Sequence, residues 1–241
     1  MLKAIRGQQK PLGARPKSGA RLLKRVWLFG PTDGSATTSR TVSDIAPAGA
    51  TWVDARGWGG GGGGNAANGT FGGGGAYARD GRSINPGQAV SCVISGQAND
   101  SNDGVASSAS VGGAIFMSAA PGKGAGVSDG AGGALSACVG GRSAGGAGNS
   151  GAGATGAAGS DAADADTLGI GGYPRRGGGT RTNDGSVDPY PRDFGIGGHY
   201  ASSFASAGPA TPVSSGWAID NPNRGGSGLV VLEYWSRKPV R

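Results

Sequence analysis

Histidine, glutamate and cysteine are nearly missing from this chain. Among 241 residues there is one histidine, His199, one glutamate, Glu233, and two cysteines, Cys92 and Cys138. A structural zinc site or an iron–sulfur cluster needs more ligands than that, and two cysteines allow one bridge at most. A serine or cysteine nucleophile would depend on His199, whose surroundings, "GIGGHYASS", form no nucleophile turn. A catalytic carboxylate pair would have to come from the 14 aspartates, most of which lie in turn-like stretches such as "NDSNDG" and "TNDGS". Apparent motifs also fail. "GAGATG", Gly151 to Gly156, fits a dinucleotide fingerprint, but no strand precedes it and a chain this rich in glycine matches that pattern by chance. "PGKGAG" lacks the hydroxyl residue that follows a phosphate-loop lysine, and the twelfth position counted from Asn99 is Ser110 rather than a bidentate glutamate. "SDAADAD" reads as a solvated acidic loop. The expectation is a protein that is not an enzyme and has neither cofactor nor metal.

Long apolar runs are absent as well. Nothing approaches the roughly 18 residues of a membrane span, so no span is expected. No apolar stretch follows the basic N-terminus, which is therefore not read as a secretory leader. Large side chains are scarce: Leu, Ile, Val and Phe make 36 residues, about 15% of the chain. That is little for an ordinary core and, with 54 glycines and 13 prolines, falls in a range shared with disordered chains. A body so poor in side-chain area is expected to pool strands with other copies, as a homo-oligomer and most simply a trimer.

What the chain does have is glycine placed against aromatics. "GWGGGGGG" spans residues 57 to 64 and "FGGGGAY" runs from Phe71 to Tyr77. Linkers are poor in tryptophan and tyrosine, so these runs read as packed backbone. Poly-glycine lets backbones approach closely, while Trp52, Trp58, Phe71 and Tyr77 bury the area that offsets glycine's loss of freedom. Between about Gly122 and Gly179 the glycines fall at 145, 148 and 151 and then, after a phase slip, at 153, 156 and 159. A three-residue period suits an extended left-handed helix with three residues per turn and no internal hydrogen bonds, whose bare edges let amides pair between neighbouring chains. A Gly/Ala/Ser linker is the competing reading of that stretch.

Charge is unevenly spread. The net charge is +7, yet residues 1 to 25 hold eight bases and no acid, leaving 14 bases against 15 acids in the remainder. The chain divides into a basic, extended N-terminal arm, 1–40, and a glycine-rich β domain, 41–241. Such an arm suits nucleic acid, an anionic membrane or an acidic protein partner.

Strand signals are strong at "RVWLF" (25–29), "TWVDARGW" (51–58), "AVSCVIS" (89–95) and "LVVLEYW" (229–235), and weaker at "AIFMS" (114–118) and "GWAID" (216–220). In "TWVDARGW", alternation sets Trp52, Asp54, Arg56 and Trp58 on one side and Val53, Ala55 and Gly57 on the other. The first and last strands of the body are expected to meet. The fold class is mainly β: a small β-sandwich-like body with long glycine-rich loops, able to carry polyglycine II helices, behind an extended N-terminal arm.

Taken in order, "IAPAGATWVDARGWGGGGGG", "GGGGAYARDGRSINPGQAVSCVISG" and the closing "RGGSGLVVLEYW" resemble the glycine-rich domains of bacteriophage tail fibres and tail-tip adhesins. The resemblance covers about residues 41 to 236. It implies a virion structural protein, a tail-fibre, tail-tip or spike component that contacts a host surface receptor, with some members stacking polyglycine helices whose distal loops touch the host. On this view the arm joins other virion proteins through Arg15, Lys17, Arg21, Lys24 and Arg25. Receptor contact falls to Tyr173, Tyr190, Phe194, His199 and Tyr200, aromatics set among Gly and Pro where tight turns leave rings at loop tips. The alternatives are inward-facing rings at those positions, a glycine-rich nucleic-acid-binding protein suggested by "YPRRGGGTR" and the arm, and a fibrous wall protein.

Overall fold

The computed structural model describes residues 19–31, 39–65, 67, 68, 70, 72–98, 101–145 and 225–239. Among these the protein is mainly β, with two antiparallel sheets. The strands are β1 (Leu22–Phe29), β2 (Ser39–Ile45), β3 (Trp52–Trp58), β4 (Tyr77–Ser83), β5 (Ala89–Ser95), β6 (Ser107–Val111), β7 (Ala114–Ala119), β8 (Gly141–Ser143) and β9 (Leu229–Trp235). The five-stranded sheet runs β1-β9-β3-β4-β8 and the four-stranded sheet β2-β5-β6-β7.

Strands expected at 25–29, 51–58, 89–95, 114–118 and 229–235 are present as β1, β3, β5, β7 and β9. "GWAID" lies outside the described residues. The first and last strands do meet, since β9 pairs with β1 on one side and β3 on the other. β1 starts at Leu22, so the β body includes residues that a boundary at 40 assigns to the arm. Four strands lacked a sequence signal, among them the three-residue β8. β2 is polar on both faces, β4 ("YARDGRS") is rich in charge, and β6 ("SSASV") is serine and alanine. Each forms because a neighbour offers a ladder partner, which overrides weak intrinsic preference.

Period-two alternation builds the core between the sheets. Val53 and Ala55 of β3, Val230 and Leu232 of β9, and Cys92 and Ile94 of β5 all face it and are fully buried. Small residues let the layers approach: an added Cβ on Gly57 would lie 2.8 Å from the Met117 sulfur of β7. Both sides of the body are stitched. Val139 makes an antiparallel bridge to Ser118 of β7. Opposite, Lys24 of β1 donates to Asp44 of β2 at 2.7 Å, and the Arg40 guanidinium to the Phe29 carbonyl at 2.8 Å. Charged side chains thus occupy edge positions where a free strand would recruit another chain.

Beyond one end of the sheets the chain becomes glycine. Segments leave after Phe29, Trp58, Ser95 and Ala119 and return before Tyr77, Ser107 and Leu229. Residues 59–64 sit among the others and pair in rotation. Gly59 and Gly62 donate to the carbonyls of Ala76 and Gly73, at 3.0 and 2.8 Å. Gly60 and Gly63 donate to Val105 and Asn102, at 3.0 and 2.9 Å, and Gly61 donates to Gly226 at 3.0 Å. In return Gly60 and Gly63 accept from Gly122 and Ala125, at 2.9 and 2.8 Å. Neighbours therefore recur every third residue, so amides buried at glycine are satisfied between segments rather than within one.

No side chain fits at the close approaches. A Cβ on Gly62 would overlap the Lys123 carbonyl, one on Gly72 the Gly62 carbonyl, and one on Gly122 the Gly73 carbonyl, all inside 3.0 Å. At the root of this array Trp58 and Tyr77 lie 4.7 Å apart by ring centroid, both buried, over Leu229 and Val231. Phe71 lies outside the described residues.

Gly62→Ala should therefore destabilise the protein by at least about 3 kcal/mol, the upper range for forcing extra volume into packed structure. Gly126, which has nothing within 4 Å of an added Cβ, is the control. Gly126→Ala should stay within about 0.5 kcal/mol of the parent in urea unfolding.

Candidate functional site

Alternation places charge and aromatics on the outer face of the five-stranded sheet. Asp54 and Arg56 of β3, Arg79 of β4, and Glu233 of β9 all point to that face and are at most 2% exposed. Asp54 and Glu233 are direct cross-strand neighbours, as are Arg56 and Arg79. Arg79 grips Asp54 with Nη2 to Oδ2 at 2.6 Å and Nε to Oδ2 at 3.1 Å. Glu233 accepts from Arg25 Nε at 2.7 Å and from Arg56 Nη2 at 3.4 Å. Three guanidinium groups thus neutralise two carboxylates that would otherwise repel across the ladder. With both carboxylates held in ion pairs and out of water, this face works as a structural clamp.

Of the residues expected to attach the protein, Arg21 is exposed just before β1, and Lys24 and Arg25 lie in β1. Lys24 and Arg25 are engaged inside the body, by Asp44 and Glu233. Arg15 and Lys17 lie outside the described residues, as do Tyr173, Tyr190, Phe194, His199 and Tyr200. Sequence reasoning placed Asp54 and Arg56 together through alternation but missed their partners. Glu233 sits in an apolar run and Arg79 in a charged one, so neither announces a cross-strand pair.

The thiols are free. Cys92 faces the core, and burial first, with the Asp44 carboxylate second, pushes its pKa from 9.0 up to about 12. Cys138 is half-buried, and burial raises its pKa too, against the Ala120 N–H that bonds its sulfur. The Tyr234 hydroxyl is buried without a well-formed hydrogen bond, and burial, then the neighbouring Asp44, raise its pKa above the ordinary phenol value. None of these groups is an activated nucleophile, since the thiolate is the reactive form.

Among the described residues, no group of three His, Cys, Asp or Glu could hold a metal ion. Nor is any helix there long and apolar enough to cross a membrane. Comparison of the sequence with known protein families and with characterised proteins finds no match.

Two measurements check this account. Asp54→Ala leaves Arg79 buried without its counter-charge and should cost about 3–5 kcal/mol in urea unfolding. For Cys92 the folded-state pKa is raised, so its contribution is complete below about 9 and is lost as pH rises toward about 12. Native protein at pH 8 should accordingly alkylate at Cys138 first and at Cys92 only on unfolding, as peptide mass mapping would show.

Proposed function

We propose that the chain is a bacteriophage virion structural protein, a tail-fibre, tail-tip or spike component that contacts the host surface. The observation that carries this reading is the glycine array, in which backbone segments pair in rotation every third residue. That is the arrangement expected of bundled polyglycine II helices, with three residues per turn and no internal bonds. It extends a small β-sandwich-like body and gives a rigid end made almost entirely of backbone. The segment 146–224 is joined to the array on both flanks, because Gly145 donates to Gly133 at 3.0 Å and Gly225 to Ala98 at 2.9 Å. Receptor contact is accordingly assigned to Tyr173, Tyr190, Phe194, His199 and Tyr200 within that segment.

Attachment to other virion proteins is assigned to the N-terminal arm, with Arg15, Lys17 and Arg21 supplying the charge, because Asp44 and Glu233 already hold Lys24 and Arg25. The working assembly in this reading is a homotrimer. It is a binding and structural part rather than an enzyme, with Asp54 and Glu233, the buried carboxylates among the described residues, held in ion pairs rather than poised for acid–base work.

Purified particles should contain the chain at a fixed copy number through density-gradient banding, and its absence from the banded particles overturns the proposal. Tyr190→Ala combined with Tyr200→Ala should abolish adsorption to host cells with the thermal midpoint unchanged. A loss of more than about 2 kcal/mol in stability would instead mark those rings as buried.

A further inference from the structure

The two ends of the body differ in chemistry. Glycine segments leave the sheets at the end marked by Phe29, Trp58 and Leu229. At the other end Leu22 pairs with Trp235, and Trp235 with Trp52. There the Arg21 N–H donates to Ser236 Oγ at 3.0 Å, and the Ser236 N–H to the Arg21 carbonyl at 2.9 Å. These two hydrogen bonds, one of them accepted by the Ser236 side chain, tie the chain entering β1 to the chain leaving β9. They set Arg21 beside Arg237 and Lys238. The Arg237 guanidinium carbon lies 3.9 Å from where a Cβ on Gly19 would stand, and Lys238 Nζ lies 4.9 Å from the Trp52 ring centroid.

All three basic side chains are exposed, and none makes an ion pair among the described residues. Beneath them, Nε1 of Trp52 and of Trp235 are buried with no acceptor. Trp235 is 6% exposed. The neighbouring carboxylate, Asp44, is already held by Lys24 at 2.7 and 2.9 Å. What remains unsatisfied at this end is therefore a set of donors and positive charges.

We infer that the strand-end surface formed by Arg21, Arg237 and Lys238 is a docking site for an acidic segment of a partner protein. The inference deepens the attachment reading above, adding two residues from the C-terminal side and stating the chemistry of the partner. Carboxylates suit the surface because arginine pairs with them bidentately and lysine as a point charge. A nucleic acid is the weaker fit, since affinity for a phosphate backbone grows with the number of charges neutralised and this surface offers three.

The test uses the full chain and a fluorescein-labelled glutamate-rich peptide of about 20 residues, followed by anisotropy across a salt titration. The parent should bind with affinity that falls as salt rises. The double variant Arg237→Glu, Lys238→Glu should bind at least about tenfold more weakly while unfolding at the parent's temperature, because both side chains are exposed. Equal binding by parent and variant overturns the inference, leaving the basic arm to account for any peptide captured. Tighter binding of a single-stranded DNA of similar length, equally weakened in the variant, overturns it in favour of a nucleic-acid surface. The virion reading fails separately: if the parent is absent from particles yet the variant still loses peptide binding, the docking surface stands and the virion assignment does not.

Discussion

Everything at the glycine end depends on backbone amides meeting backbone carbonyls across a gap that admits no Cβ. A buried N–H without an acceptor costs about as much as a lost hydrogen bond, and residues 59–64 have no side chain to help them. Satisfying those groups requires several segments at once, since each of three successive residues addresses a different neighbour. The array is therefore collective. Its segments come from the ends of β1, β3, β5, β7 and β9, so the order of both sheets is what delivers them in position.

The outer face of the five-stranded sheet applies a second constraint. Burying Asp54, Glu233, Arg56 and Arg79 is unfavourable unless each has a counter-charge, and the ladder register supplies them, with the partly exposed Arg25 as a second cation on Glu233. A slip of one residue between β3 and β9 would turn Asp54 and Glu233 toward the apolar core. The pairs thus reinforce the register that also brings Trp58 and Leu229 together at the root of the glycine array.

Much of the fold was legible because alternation is a local signal. "TWVDARGW" carries it in full, "AVSCVIS" and "LVVLEYW" are short runs rich in β-branched and aromatic residues, and β5 and β9 begin and end where the residues suggest. β4 and β6 were illegible for a physical reason: what stabilises a strand of charge or of serine is the strand beside it, and partners distant in sequence leave no local mark. The close packing of glycine beside Trp58 was readable from aromatics set against poly-glycine. Its rotating pattern was not, because residues 59–64 have no periodicity of their own and take it from their neighbours. At the candidate surfaces, the basic character of Arg21 was visible, but its hydrogen bonding to Ser236, the residue before Arg237 and Lys238, joins positions more than two hundred residues apart.

The antiparallel pairing of β1, β9 and β3 has a mechanical consequence. Chain enters β1 and leaves β9 at the same end of the sheet, and β9 is held on both flanks along its whole length. A pull between that end and the glycine end runs parallel to the strands. The ladder bonds are then loaded together, in shear, instead of being opened one after another as in peeling from an edge. A body tethered there would carry tension across the two ladders flanking β9 at once, and would resist extension far better than separation from the side.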